Sequence, residues 1–161
     1  MAALAERRKE LLDSMMKQAV YEGAVQVLTQ HGLRGTTMDR VAAAAGMAKG
    51  SLYNYFRSKQ DLLEFVHDRA IAPIQEAVSE VLEMQISAAD KLSSIFRRWR
   101  EYLVSQHAVL EFLILDQSAK RQLTDAAQSA REWGIRHIAT IIEQGIHEGS
   151  FRPVDSLAVA E

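Results

Sequence analysis

Apolar residues recur along this chain at spacings of three and four, and no stretch alternates apolar with polar as a strand would. Such spacing gathers side chains on one face of a helix, so the pattern predicts an all-α fold. Ala19, Val20, Ala24, Val27 and Leu28 make the inner stripe of a helix over 14–30, with Gly32 as its stop. Residues 1–13 are polar and expected to fray; Arg7, Arg8 and Lys9 there can form a basic arm or be the solvated start of the first helix. Two short helices follow, over 36–45 and 49–55. Ser58 with Asp61 three residues on is a capping pair. It opens a long helix whose stripe is Leu62, Leu63, Val66, Ala70, Ile74, Ala77, Val78, Val81 and Leu82. Pro73 within that run has no N–H to donate, and a kink is expected there, not a break, because the stripe continues in phase.

Ser87 with Asp90 repeats the capping pair ahead of a helix in which Leu92, Ile95, Phe96, Trp99 and Tyr102 share a face. The run Val109 to Leu115 reads as a short helix buried on most sides. A long helix is expected over 119–148, with Leu123, Ala127, Ala130, Trp133, His137, Ile141 and Ile142 inside. Gly134 and Gly145 within it each cost ~1 kcal/mol against alanine, so each marks close packing or a bend. Gly149 stops the helix, Phe151 can fold back on it, and Pro153 lies just beyond. Asp155 caps a last short helix over 156–161.

The pair of short helices organises the rest. Thr36 or Thr37 can cap the first through its hydroxyl oxygen, and Asp39 suits the positive helix end. Val41 is the apolar anchor, and Ala42 to Ala45 are small enough for another helix to cross close. Gly46 ends the helix because glycine takes positive φ freely. In the second helix Leu52 points to the core, while Lys49, Ser51, Asn54 and Tyr55 can face out. A tight first helix, a sharp turn and a second helix held by its inner face make a helix-turn-helix. The domains expected are a helix-turn-helix head over 1–60 and a helical body over 61–161.

Composition sharpens this reading. The chain has 161 residues and no cysteine, which removes disulfides, thiolate metal sites and cysteine nucleophiles. No apolar run reaches the ~18 residues of a membrane span. Residues 6–10 are all charged and no signal segment precedes them, so a cytoplasmic protein is expected. Residues 1–60 hold nine Lys and Arg against five acids, a net +4; the remainder holds 10 against 16, a net −6. A basic head on an acidic body fits a chain whose N-terminal part meets a polyanion.

The run from Thr36 to Leu63, and above all K-G-S-L-Y-N-Y-F-R-S-K at Lys49 to Lys59, resembles the DNA-binding signature of the TetR family of bacterial transcriptional regulators. The strong part covers roughly Ala19 to Leu63. The resemblance implies a double-stranded DNA operator as partner. Thr37, Tyr55 and Lys59 would hold phosphates, Lys49, Gly50, Ser51 and Asn54 would lie toward base edges, and Ala48 would make van der Waals contact. Tyr53 is open: its ring can belong to the core with only its hydroxyl near phosphate. The family's last two helices usually pair with their copies in a homodimer. This chain stops where the first of them would start, so a further C-terminal segment is expected.

No catalytic constellation is visible. His31, His67, His107, His137 and His147 show no helical metal-site spacing, and no nucleophile elbow, P-loop or dinucleotide fingerprint occurs. Neither an enzyme, a cofactor nor a metal site is expected. Phe96, Trp99, Tyr102, His107, Phe112, Trp133 and His137 are large side chains of the body helices. Such a stripe is ordinarily core, but the family resemblance implies a cavity among them for an unidentified small hydrophobic effector. The function expected is a ligand-responsive, sequence-specific repressor acting as a homodimer on a palindromic operator. The alternatives are a constitutive DNA-binding dimer and a helical small-molecule-binding protein that has lost DNA recognition.

Overall fold

The computed structural model describes residues 2–106 and 124–161. Every regular element among them is helical: α1 (Ala2–Gly35), α2 (Met38–Ala44), α3 (Lys49–Tyr55), α4 (Lys59–Glu83), α5 (Ala88–Ser105), α6 (Thr124–His147) and α7 (Ser156–Ala160). The expected short helix at 109–115 and the first residues of the expected 119–148 helix lie outside the described residues. Two compact units divide between Arg69 and Ala70, inside α4.

In the first unit α1 starts at Ala2, not near Ser14. The segment expected to fray is rich in Ala, Leu, Glu, Arg and Lys, all strong helix formers. The ion pair of Lys17 with Asp13 at 2.8 Å, one turn apart, adds a little more. Val20, Ala24, Val27 and Leu28 are buried. Gly32 takes φ 63°, the left-handed conformation expected of a stop, and the helical turns resume beyond it as far as Gly35.

α1 and α2 meet at backbone distance. A Cβ on Gly23 would sit 2.8 Å from the Ala45 nitrogen, so α1 crosses the end of α2 only because residue 23 is glycine. Thr37 caps α2, accepting the Arg40 N–H at 3.3 Å. Val41 and Ala42 are buried. Past the helix, Gly46 at φ 67° lets Met47 donate to Ala42 O at 2.9 Å and Gly46 donate to Ala43 O at 3.1 Å. That bond pair is the Schellman closure, and it sets the sharp turn into α3. α4 opens as expected: Ser58 Oγ donates to Asp61 Oδ1 at 2.8 Å and accepts the Asp61 N–H at 3.1 Å. α4 then continues as one helix with Pro73 inside it.

In the second unit Val78, Val81, Ala88, Ile95 and Ile141 form the buried cluster, with Leu82, Leu92, Trp99, Trp133, Ile138 and Phe151 packed against it. Ser87 caps α5 through the Asp90 N–H at 3.1 Å. Glu148, just past α6, accepts the Ala88 N–H at 3.0 Å and so holds the start of α5 against the end of α6. Lys91 is buried on the inner face of α5, its ammonium given to Leu82 O at 3.0 Å. At Gly149 the chain turns with φ 73°, and Phe151 folds onto Gly145, where a Cβ would overlap its ring. Gly134 has no such neighbour among the described atoms. Asp155 caps α7 through the Leu157 and Ala158 N–H groups, both at 3.1 Å.

Candidate nucleic-acid interface

α3 is seated by its inner face and free on its outer one. Leu52 is fully buried, whereas Lys49, Gly50, Tyr53 and Asn54 are exposed, and Ser51 and Tyr55 are half-buried. Ala48, exposed and extended, begins the helix without a side-chain cap. The hydroxyl of exposed Thr37, at the start of α2, accepts the Arg40 N–H, which leaves its own hydrogen able to donate outward. Tyr53 is 43% exposed, so its ring lies on the surface and not in the core.

Gly50 is informative because nothing among the described residues requires it. A Cβ there would meet no described atom within 4 Å, and its φ is not positive. Glycine inside a helix costs ~1 kcal/mol against alanine. Here it leaves α3 backbone bare on the outward face, which suits close approach of a partner.

The cations are not equally free. Lys49 Nζ pairs with Asp39 Oδ1 at 2.7 Å, linking the first turns of α3 and α2 across the surface. The hydrogen bond to Asp39 holds the Lys49 ammonium above the usual lysine range. An exposed pair of this kind is worth little, so Lys49 can leave Asp39 for a stronger anion. Lys59 donates from Nζ to Leu33 O at 2.6 Å. Burial pushes its pKa down. Tyr55 lines an open groove with the first turns of α1, where Arg8 and Lys9 face alongside Glu6, Glu10 and Asp13. Neither the Asp39–Lys49 pair nor this groove was expected from spacing, because both depend on how separate helices meet.

The candidate effector residues are less united. Trp99 and Trp133 pack against the same buried cluster. The Trp99 Nε1–H is buried and has no hydrogen-bond partner among the described residues. Trp133 stacks on His137 with ring centroids 4.0 Å apart, and His137 Nδ1 lies 2.7 Å from Trp133 O. Tyr102 donates its hydroxyl to Ala70 O at 2.6 Å. Phe96 departs from the expected inner face: it is 61% exposed and touches Trp99 edge-on at 6.0 Å. Ile95 and Lys91 occupy the inner face, and one residue further round the helix turns Phe96 about 100° away. His107 and Phe112 lie outside the described residues. No group of three or more His, Cys, Asp or Glu that could hold a metal occurs among the described residues. No helix among them is long and apolar enough to cross a membrane.

A short capped helix, a glycine turn and a second helix with a buried leucine beneath and a bare polar face above define a helix-turn-helix DNA-binding module. Residues 20–66 match the family model of bacterial regulatory proteins, tetR family. The HTH-type transcriptional repressor KstR2 of Mycolicibacterium smegmatis is 30% identical over 154 residues, covering 92% of this chain and 69% of that protein. The fatty acid metabolism regulator protein of Bacillus subtilis is 24% identical over 135 residues, covering 83% and 69%. Among solved structures, the transcriptional regulator FadR from Bacillus subtilis in complex with stearoyl-CoA superposes with a TM-score of 0.78 at 20% identity, covering 89% of this chain and 78% of that one. The chain belongs to the TetR family of bacterial transcriptional regulators and is a DNA-binding regulator.

Proposed function

We propose that α3 enters the major groove of an operator and that a small hydrophobic effector in the body releases it. Lys49, Gly50, Ser51 and Asn54 approach base edges, with Ala48 in van der Waals contact. Asparagine suits adenine and lysine suits guanine there. Thr37, Tyr53 and Tyr55 serve the backbone, which fixes register without reading sequence. The observation that carries this reading is the bare α3 face around Gly50, held outward by buried Leu52.

The protein acts in the cytoplasm as a homodimer, its two heads on half-sites of a palindromic operator one helical turn or a multiple of it apart. The effector class is a fatty acyl-CoA thioester. Two of the similar proteins, a fatty acid metabolism regulator and a regulator in complex with stearoyl-CoA, support that class. The Trp99 N–H, without a partner among the described residues and set among apolar neighbours, supports a polar acceptor on the ligand. Effector binding favours a different tilt of α4, moving the heads out of register with the grooves; a coupling of ~1–3 kcal/mol, about 5–150-fold in affinity, is typical of such linkage.

The test is titration of DNA from upstream of the protein's own gene, with excess random DNA, in the presence and absence of stearoyl-CoA. Retained preference that the thioester weakens supports the whole reading. Preference untouched by any acyl-CoA sinks the effector class, and no preference sinks the regulator reading at this operator.

A further inference from the structure

We propose that Lys59 is a brace joining the start of α4 to the end of α1, and that it positions the helix-turn-helix without itself holding a phosphate. The inference rests on the DNA-binding reading above and reassigns one residue within it. Lys59 Nζ lies 2.6 Å from Leu33 O, a partner 26 residues away in sequence. Leu33 is buried and stands just past the left-handed Gly32. The last carbonyls of any helix lack intrahelical donors, and here those of Gly32, Leu33 and Gly35 are met from different directions. Thr36 gives both its N–H (3.1 Å) and its hydroxyl (2.8 Å) to Gly32 O. Arg40 of α2 gives Nη1 to Gly35 O at 2.6 Å. Lys59, at the first residue of α4, takes Leu33 O.

The end of α1 is therefore tied to α2 by one cation and to α4 by another, both at the negative pole of its dipole. Leu33 is followed within four residues by Thr37, the cap of α2. Whatever fixes Leu33 fixes the entry into the helix-turn-helix. Lys49 makes the contrast: it is exposed, and its partner is a surface carboxylate. Lys59 is half-buried, and its partner is a main-chain carbonyl that would keep only the longer bond from the Thr36 N–H, at 3.2 Å and shared with Gly32 O, if the ammonium swung out to DNA.

A phosphate ligand and a brace differ in salt dependence, because only a phosphate contact releases a counterion. Lys59→Met is expected to weaken operator binding roughly tenfold, the size of one lost charge-assisted hydrogen bond. The slope of log K against log salt should stay that of wild type. A slope shallower by about 0.9 per lysine would overturn the brace. Should Lys59→Met prove too unstable to titrate, reductive methylation of the wild-type protein, free and on operator DNA, reads the same point. Slow modification of Lys59 in both states, with Lys49 fast in the free protein, supports the brace. Fast modification of free Lys59 that DNA suppresses overturns it. Loss of operator preference by the wild type counts against the DNA-binding role, and methylation of the free protein still decides the brace.

Discussion

Three glycines show how the same residue can serve opposite ends. Gly23 is required from within: a methyl there would press 2.8 Å from the Ala45 nitrogen. Backbone cannot yield as a flexible side chain can, so Gly23→Ala is expected to cost about 1–3 kcal/mol, read from denaturant unfolding. Gly145 is required by Phe151, whose ring occupies the space a methyl would take. Gly50 has no such neighbour. Gly50→Ala should leave stability unchanged or raise it by up to ~1 kcal/mol, yet weaken operator binding; a variant that binds as well as wild type would remove Gly50 from the interface. From the sequence, all three read as glycines within helices. Their roles part only when the atoms facing them are known.

Among the elements, caps were the most legible feature. Thr37, Ser58, Ser87 and Asp155 each bond a backbone N–H two or three residues on, as the sequence implied. These bonds are local, so spacing suffices to find them. Thr37→Ala is expected to lower stability by about 1 kcal/mol, measured by thermal unfolding. Helix faces were less secure. α5 was expected to bury Ile95 and Phe96 together; it buries Ile95, but Lys91 goes inside and Phe96 stays exposed. A lysine is placed inside by what receives its ammonium, and Leu82 O belongs to the preceding helix. Glu148 acts across elements in the same way. Its hydrogen bond from the Ala88 N–H, then that from Gln144, hold its pKa below the usual carboxylate range. A depressed folded pKa means this stabilisation is present above the ordinary carboxylate range and lost as pH falls through the depressed value. Thermal melts down an acid series should show Glu148→Gln less sensitive to pH than wild type. Equal sensitivity would show that Glu148 does not contribute to the acid lability of the α5–α6 packing.

For the molecule as a whole, charge and chemistry divide along the chain: net +4 over residues 1–60, where the helix-turn-helix lies, and −6 over the remainder. Operator binding should then be strongly electrostatic. With about 6–10 phosphate contacts in a dimer, affinity is expected to fall about 10³–10⁵-fold between roughly 50 and 200 mM salt. Fluorescence anisotropy on a labelled operator measures this directly, and a shallow dependence would argue for far fewer backbone contacts. Binding of stearoyl-CoA should also be followed by the emission of Trp99 and Trp133, with Trp99→Phe reporting whether the Trp99 N–H meets the ligand.

The sequence by itself determined the all-α class, the stops at Gly32, Gly46 and Gly149, the caps, and the order of the short helices around the turn. Each depends on residues a few positions apart: a hydroxyl within reach of the next turn, a residue able to take positive φ, an apolar stripe recurring at helical spacing. Tertiary structure alone decided that Lys59 turns to Leu33 O, that Lys49 rests on Asp39, that Lys91 goes inside and Phe96 outside, and that Gly23 rather than its neighbours receives the end of α2. Those outcomes depend on which surface faces which. A long side chain with a charged tip can satisfy itself in several places, and only the packed helices supply the carbonyl or carboxylate that selects one.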